Sequence, residues 1–267
     1  MFNKHRFLAA TCSAAIALAS TASLSAVTIN WTDWTADISS STPEPGFTAV
    51  GNITTSTTNV DVTYQNDQGI GFFQTGTGFD YFRNSLGPAD SPYTSSYVEN
   101  IPTASEMIAL RFAGPQTLSF SQTVENLVFS YVSLNGNGYA FDQDFDILSF
   151  GDVSDGNRNG FWGPGTSYKS VVDLGGGNFE YQLLGTGEPH GTIRFRDTFD
   201  TVTWRSSTNE YWNGFTVGVE GTQEEVSGPP SPPSPAGVSD NGNTAVLALL
   251  GLSALLVSRK RFHNQTK

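Results

Sequence analysis

The chain has 267 residues and a net charge of −12, with 25 Asp plus Glu against 13 Lys plus Arg. Between Val27 and Thr222 the imbalance is steeper, with seven basic residues facing 22 acidic ones. A surface of that sign repels nucleic-acid phosphate and anionic lipid, so nucleic-acid binding by this region is excluded.

Lys4, His5 and Arg6 precede an apolar, alanine-rich stretch from Phe7 to Ala19, and small residues run from Ser20 to Ala26. A positive start, a short apolar run and small side chains before a cut predict a signal peptide over 1–26, cleaved after Ala26 or Ala22. The apolar run is too short for a permanent span. Cys12, the single cysteine, lies inside it, and Thr11 with the short stretch before it does not suit lipid attachment. The exported region therefore has no disulfide, and its apolar core must hold it together.

From Val27 to Thr222 short alternating runs stand between turn residues. Val27-Thr-Ile29-Asn-Trp31, Val60-Asp-Val62-Thr-Tyr64, Leu118-Ser-Phe120, Val202-Thr-Trp204 and Phe215-Thr-Val217-Gly-Val219 have period two and predict half-buried strands. Met107 to Phe112 and Leu127 to Val132 are denser and predict inner strands. Thr103 to Glu106 suits one helical turn. Asn135-Gly136, Asn137-Gly138, Asp155-Gly156 and Gly175-Gly176-Gly177 mark turns. Roughly ten to twelve short strands of this kind predict an all-β fold, a single two-sheet sandwich of the jelly-roll type.

The sharpest chemical feature is Phe141-Asp-Gln-Asp-Phe-Asp-Ile147. On one strand Asp142, Asp144 and Asp146 would share a face, with adjacent carboxylates about 7 Å apart. Their repulsion is about 0.6 kcal/mol per pair in water and about 2.4 kcal/mol at an effective dielectric near 20. Partly buried, the strand would call for calcium, with Asp152 and Asp155 as further oxygen ligands; exposed, it is a solvated face that needs no ion. An EF-hand is excluded, since Ile147 stands at its glycine position and Val153 at its glutamate position. Calcium is the one cofactor that the residues suggest.

Other chemistry is thinly represented. His190 is the only histidine outside the terminal segments; it sits between Pro189 and Gly191 and is expected in a turn. There is no Gly-x-Ser-x-Gly elbow to partner it, and one histidine without cysteine does not make a zinc site. No pair among the many acids stands out for glycoside hydrolysis. Trp204 and Trp212 have alternating neighbours and belong in the core. Trp162, in Asn159-Gly-Phe-Trp-Gly-Pro-Gly165, is expected in a loop, where it either contacts a sugar ligand or is pinned to the domain.

After Val219 the composition changes. A proline-rich linker is expected over 223–237, including Gly228-Pro-Pro-Ser-Pro-Pro-Ser-Pro-Ala-Gly237. The tail over 238–267 holds an apolar run from Ala245 to Val257 and the basic cluster Arg259-Lys260-Arg261. Thirteen helical residues reach about 20 Å, short of the roughly 30 Å hydrocarbon core. The basic stop sets the C-terminus in the cytoplasm and the domain outside.

A short motif, an apolar helix and a basic cluster at the extreme C-terminus resemble the PEP-CTERM class of bacterial sorting signals. The motif is Val238-Ser239-Asp240-Asn241-Gly242, similar to the VPDSG variant at Val238, Asp240 and Gly242. It departs at Ser239, where that variant has proline, and at Asn241, where it has serine. Asn30-Trp31-Thr32-Asp33-Trp34, Gly187 to Ile193 and Tyr211 to Val219 also look like segments of the domains such proteins carry. The resemblance implies an exosortase-type membrane protease as partner, a membrane-anchored stage, and export to the surface of a bacterium that makes exopolysaccharide. The expected role is structural or adhesive and not enzymatic. A lectin-like carbohydrate-binding module is the alternative, and a glycoside hydrolase comes third.

Overall fold

The computed structural model describes residues 25–41, 45–151 and 163–228. Their strands, in chain order, are β1 (Asn30–Trp31), β2 (Asp33–Asp37), β3 (Phe47–Thr54), β4 (Asn59–Asn66), β5 (Phe72–Gln74), β6 (Met107–Leu110) and β7 (Gly114–Val132). Then follow β8 (Tyr139–Phe141), β9 (Asp146–Phe150), β10 (Gly165–Gly175), β11 (Asn178–Gly187), β12 (Gly191–Arg194), β13 (Thr198–Ser206) and β14 (Asn213–Thr222). The all-β expectation holds, with fourteen strands among the described residues where ten to twelve were expected.

The difference centres on β7. Leu118-Ser-Phe120 and Leu127 to Val132 were read as separate runs, yet they belong to one strand of 19 residues. Gln116 to Ser119 lie between β4 and β13, Val124 and Glu125 between β13 and β14, and Val128 to Tyr131 between β14 and β12. Between these stretches the β13 register shifts at Phe199/Thr201, and Asn126 takes a left-handed φ of 53°. One strand thus serves two antiparallel arms. The first runs β2-β3-β4-β7-β13-β8-β11-β10, and the second runs β9-β12-β7-β14 with β6 and β1 sharing the far edge of β14.

The arms face each other through aromatic rings. Phe129 of β7 and Phe215 of β14 stack at 5.0 Å and 10°. Trp204 of β13 meets both edge-on, at 5.4 and 5.2 Å, and Tyr64 of β4 meets Phe215 at 5.3 Å. Strands of the first arm alternate buried and exposed residues, as one solvated face requires. The second arm is covered on its other face too. Phe82, Tyr93 and Ile101, from the long connection between β5 and β6, pack on Met107, Ala109 and Val132. Tyr97 and Val98 pack on Ile29 and Val128. Burial on both faces explains the unbroken apolar runs of β6 and β7. It also requires two glycines of β14: a Cβ at Gly214 would fall 2.4 Å from Met107 Sδ, and one at Gly218 would fall 2.6 Å from Ile29 Cγ2. Glu106, itself buried, anchors the cover by accepting from the backbone N–H of Trp34 and of Gly76, both at 2.8 Å. The turn expected over Thr103 to Glu106 is present, with Glu106 N donating to Thr103 O at 3.2 Å.

Folded structure continues past Thr222, where a linker was expected to begin at residue 223. Thr222 caps a short helix, α1 (Gln223–Val226), in a capping box with Glu225. Glu225 Oε1 accepts from the Thr55 and Ser56 hydroxyls at 2.9 Å and from the N–H of Thr57 at 2.7 Å. The exit from the domain is thereby tied to the β3–β4 turn. The described residues, through Gly228, belong to one compact unit. The signal peptide (apart from Ser25 and Ala26), the proline-rich stretch from 229, the motif Val238 to Gly242 and the cluster Arg259 to Arg261 lie outside the described residues. Among those described, no helix is long and apolar enough to cross a membrane.

Desolvation pushes the Glu225 carboxyl up, but the hydrogen bonds from Thr57, the Thr222 N–H, Thr55 and Ser56 outweigh it and hold the group at about 2. A depressed carboxylate stabilises the fold above its ordinary value of 4.5, and that contribution is lost as pH falls through about 2. Thermal melts should therefore show Glu225→Gln below wild type at neutral pH, with the gap closing between pH 4.5 and about 2. A gap independent of pH would show that the carboxylate charge is not what holds the clip.

Candidate functional site

The acidic segment does not form one strand. β8 ends at Phe141 in the first arm and β9 begins at Asp146 in the second, so residues 142–145 bend across from arm to arm. The expectation of three carboxylates on one strand face is therefore corrected. The chain turns because Phe141 and Phe145 both go into the core, where their rings meet at 5.5 Å. Each aspartate finds its own protein partner. Asp142 accepts from the Thr203 hydroxyl at 3.2 Å, and Asp144 accepts from Lys169 Nζ at 2.7 Å. Asp146 pairs with Arg194 at 3.3 Å and with Arg196 Nε. The Arg196 hydrogen bond leads in holding Asp146 below the usual carboxylate range, with Arg194 adding to it against some desolvation.

Arg194 in turn lies 3.9 Å over the ring of Tyr97, whose hydroxyl donates to Glu220 at 2.5 Å. The cluster is a chain of alternating charge that ties β9, β12 and the cover together. A cavity of 220 Å³ opens beside it, lined by Asp144, Phe145, Asp146, Arg196 and Asp197. A divalent ion there would have to displace Lys169 and Arg196 from their carboxylates. Among the described residues no group of three or more His, Cys, Asp or Glu is placed to hold a metal ion. Asp152, Asp155 and Trp162 lie outside the described residues.

His190 lies in the short connection between β11 and β12, as its Pro-His-Gly setting predicts. It is buried, with Nδ1 2.5 Å from the Glu188 carbonyl oxygen. That oxygen only accepts, so Nδ1 carries the proton. Gly151 makes room for the ring, since a Cβ there would fall 1.9 Å from Nε2. Trp204 is buried in the core, and Trp212 packs against the cover of the second arm.

Sequence reasoning passed over three arrangements. The first is a pair of acids at the Asn135–Gly138 turn. Glu188 accepts from Ser133 and Asn135, both at 2.9 Å, and Glu210 accepts from Asn213 at 2.9 Å. Asn137, in the predicted turn, accepts from the N–H groups of Ser207 and Thr208 and so holds the approach to Glu210. The second is a cleft of 710 Å³ lined by Phe112, Ile70, Asp67, Gln68 and Asn209 among others. Its wall is fixed by Asn66, which both accepts from and donates to the backbone of Gly69. Phe112 is exposed beneath Arg111, and Gln68 Oε1 has no hydrogen-bond partner among the described residues.

The third arrangement is the hairpin of β10 and β11. Its strands pair from Gly165/Gly187 to Gly175/Asn178, and its tip is Gly175, Gly176 and Gly177, all at positive φ. Nine large apolar side chains are exposed among the described residues, and five of them are here: Tyr168, Val171, Val172, Leu174 and Phe179. Leu174 at 63% and Val171 at 52% are more exposed than any other aliphatic side chain described. β10 is an edge strand: β11 is its sole strand partner among the described residues. The sequence shows the three-glycine tip and the alternating Phe179-Glu-Tyr181-Gln-Leu183 after it, but such a run reads the same whether it ends in a core or in solvent.

No family model, curated protein or solved structure matches the chain.

Burial pushes the Glu210 carboxyl up to about 7; the amides of Asn213 and Asn137 offset part of the rise, and the charge of Glu188 adds to it. A group raised in this way retains a proton in the fold that the unfolded chain has released. Its contribution is full below the ordinary 4.5 and is lost as pH rises through about 7. Glu210→Gln should therefore melt above wild type near pH 8 and converge with it near about pH 4.5. Parallel melting curves across that range would overturn the assignment.

Proposed function

We propose that this is an exported bacterial surface or extracellular-matrix protein that acts by contact, not catalysis. Its PEP-CTERM-like tail, with Val238 to Gly242 and Arg259 to Arg261, would be read by an exosortase-type protease. The observation that carries the contact reading is the gathering of five exposed apolar side chains on one projecting hairpin. Soluble proteins rarely concentrate exposed apolar surface in one place unless another surface covers it. A strongly acidic exterior supports the same reading, because it keeps such a patch soluble until the partner is met. The two facing arms are consistent with a sandwich of the jelly-roll kind, a common frame for surface modules.

The second reading, a carbohydrate-binding module, is favoured by the 710 Å³ cleft. An aromatic face at Phe112 beside the carboxylate and amides of Asp67, Gln68 and Asn209 is the mixture that a neutral sugar meets in a lectin.

Co-sedimentation of residues 25–228 with the producing organism's matrix, in calcium and in chelator, tests both. Retention is expected in each condition. The variant Val171→Ser/Leu174→Ser/Phe179→Ser should weaken it by about tenfold or more, the factor given by about 1.4 kcal/mol of lost apolar burial. Loss on Phe112→Ala with the hairpin variant unaffected would replace contact through the hairpin with sugar binding in the cleft. Loss in chelator alone would restore calcium to the account.

A further inference from the structure

We infer that the partner of the hairpin is a second copy of this chain, joined edge to edge along β10 about a two-fold axis at Val171. An edge strand presents a row of unpaired N–H and C=O groups, and an antiparallel copy of itself is the simplest strand to satisfy them. A two-fold axis normal to the sheet sets one residue opposite its own copy and therefore fixes the whole register. With the axis at Val171, Lys169 stands opposite the second copy's Asp173, and Asp173 stands opposite its Lys169. Val171 meets Val171 and Ser170 meets Val172, all short of the register shift that follows Asp173. Every charge on the strand then faces its opposite, and Val171 faces its own copy, the pairings that stabilise adjacent strands.

Neighbouring registers lack this match. Moving the axis to Ser170 sets Lys169 against Val171, and moving it to Val172 sets Asp173 against Val171. The two charged side chains are ready for the contact. Lys169 Nζ donates to Asp144 at 2.7 Å and to the Phe145 carbonyl at 2.8 Å, which uses two of its three N–H groups. Asp173 Oδ1 accepts from Gly175 N at 2.7 Å, leaving Oδ2 for the incoming ammonium. A lone edge lysine normally discourages strand addition. Here the aspartate four residues on removes that barrier for a copy of the same strand and keeps it for strands without a carboxylate at that place. Val171 on one face of the strand, and Tyr168 and Val172 on the other, all exposed in the single chain, would each gain a neighbour across the seam.

The inference deepens the contact reading and rests on it. It is tested on residues 25–228, which carry their own core and end where the compact unit ends. Light scattering coupled to gel filtration should give twice the chain mass. Asp173→Lys leaves the Lys169–Asp144 pair intact and should return the mass to one chain. Lys169→Asp should do the same, and the double swap Lys169→Asp/Asp173→Lys should restore the dimer, which a merely destabilised fold would not do. Because residues 25–228 contain no cysteine, Val171→Cys should link to its own copy under mild oxidation, faster than Ser170→Cys or Val172→Cys. A monomer at the highest soluble concentration overturns the inference. A monomer that the matrix still retains through the hairpin would leave the contact reading standing. A dimer that the matrix does not retain would uphold the pairing and remove that reading.

Discussion

The stack of Phe129 on Phe215, closed at its edges by Trp204 and Tyr64, is the contact on which the architecture depends. β7 and β14 are neighbours in the second arm, and the rings that close the stack come from β13 and β4 of the first. The arms share β7, so hydrogen bonding alone would leave them free to hinge where its register shifts. The aromatic contacts remove that freedom by covering large apolar areas on both sides, in a region with no disulfide to do it. Loss of a ring here would cost more than its own transfer energy, since the facing arm cannot collapse into the space without bending β7.

Much of the fold was legible because period two and glycine turns carry their meaning locally. Val60 to Tyr64 became β4, Val202 to Trp204 became part of β13, and the dense runs at Met107 and Leu127 became strands buried on both faces. Phe215 to Val219 shows where local reading stops. It alternates like a half-buried strand, yet every residue in it is buried, because Gly218 and the neighbouring Gly214 let the cover press close and Thr216 accepts a hydrogen bond from Trp34 Nε1. The continuity of β7 was hidden for a related reason. Its middle residues, Ser121 to Asn126, are polar apart from the buried Val124 and look like a loop, but they are where the strand passes from one arm to the other.

The candidate sites were legible to a lesser degree. The aspartates at 142, 144 and 146 were found, but their partners return from 169, 194, 196 and 203, at separations that no local pattern announces. In the fold Asp144 pairs with Lys169, Asp146 with Arg194 and Arg196, and Asp142 with the Thr203 hydroxyl, so each carboxylate has a partner of its own. Glu188 was passed over because nothing near it in the chain says that Ser133 and Asn135 will hold it, and Glu210 because its neighbour Asn213 does not announce that the acid will be buried. The hairpin was visible only as its glycine tip. Exposure is a property of what fails to pack against a strand, and that is decided by the rest of the molecule.

The attachment of Glu225 gives the domain a mechanical asymmetry. Any pull on the chain beyond Gly228 arrives first at α1, where one carboxylate gathers the hydroxyls and backbone of residues 55–57. Past that clip the load passes into β14, which is flanked by β7 on one side and by β6 and β1 on the other. A strand held on both edges and pulled along its length must break many hydrogen bonds together, whereas a free edge strand peels one bond at a time. The C-terminal end of the domain is therefore built to bear tension, with a sacrificial carboxylate clasp ahead of the strand that carries the load.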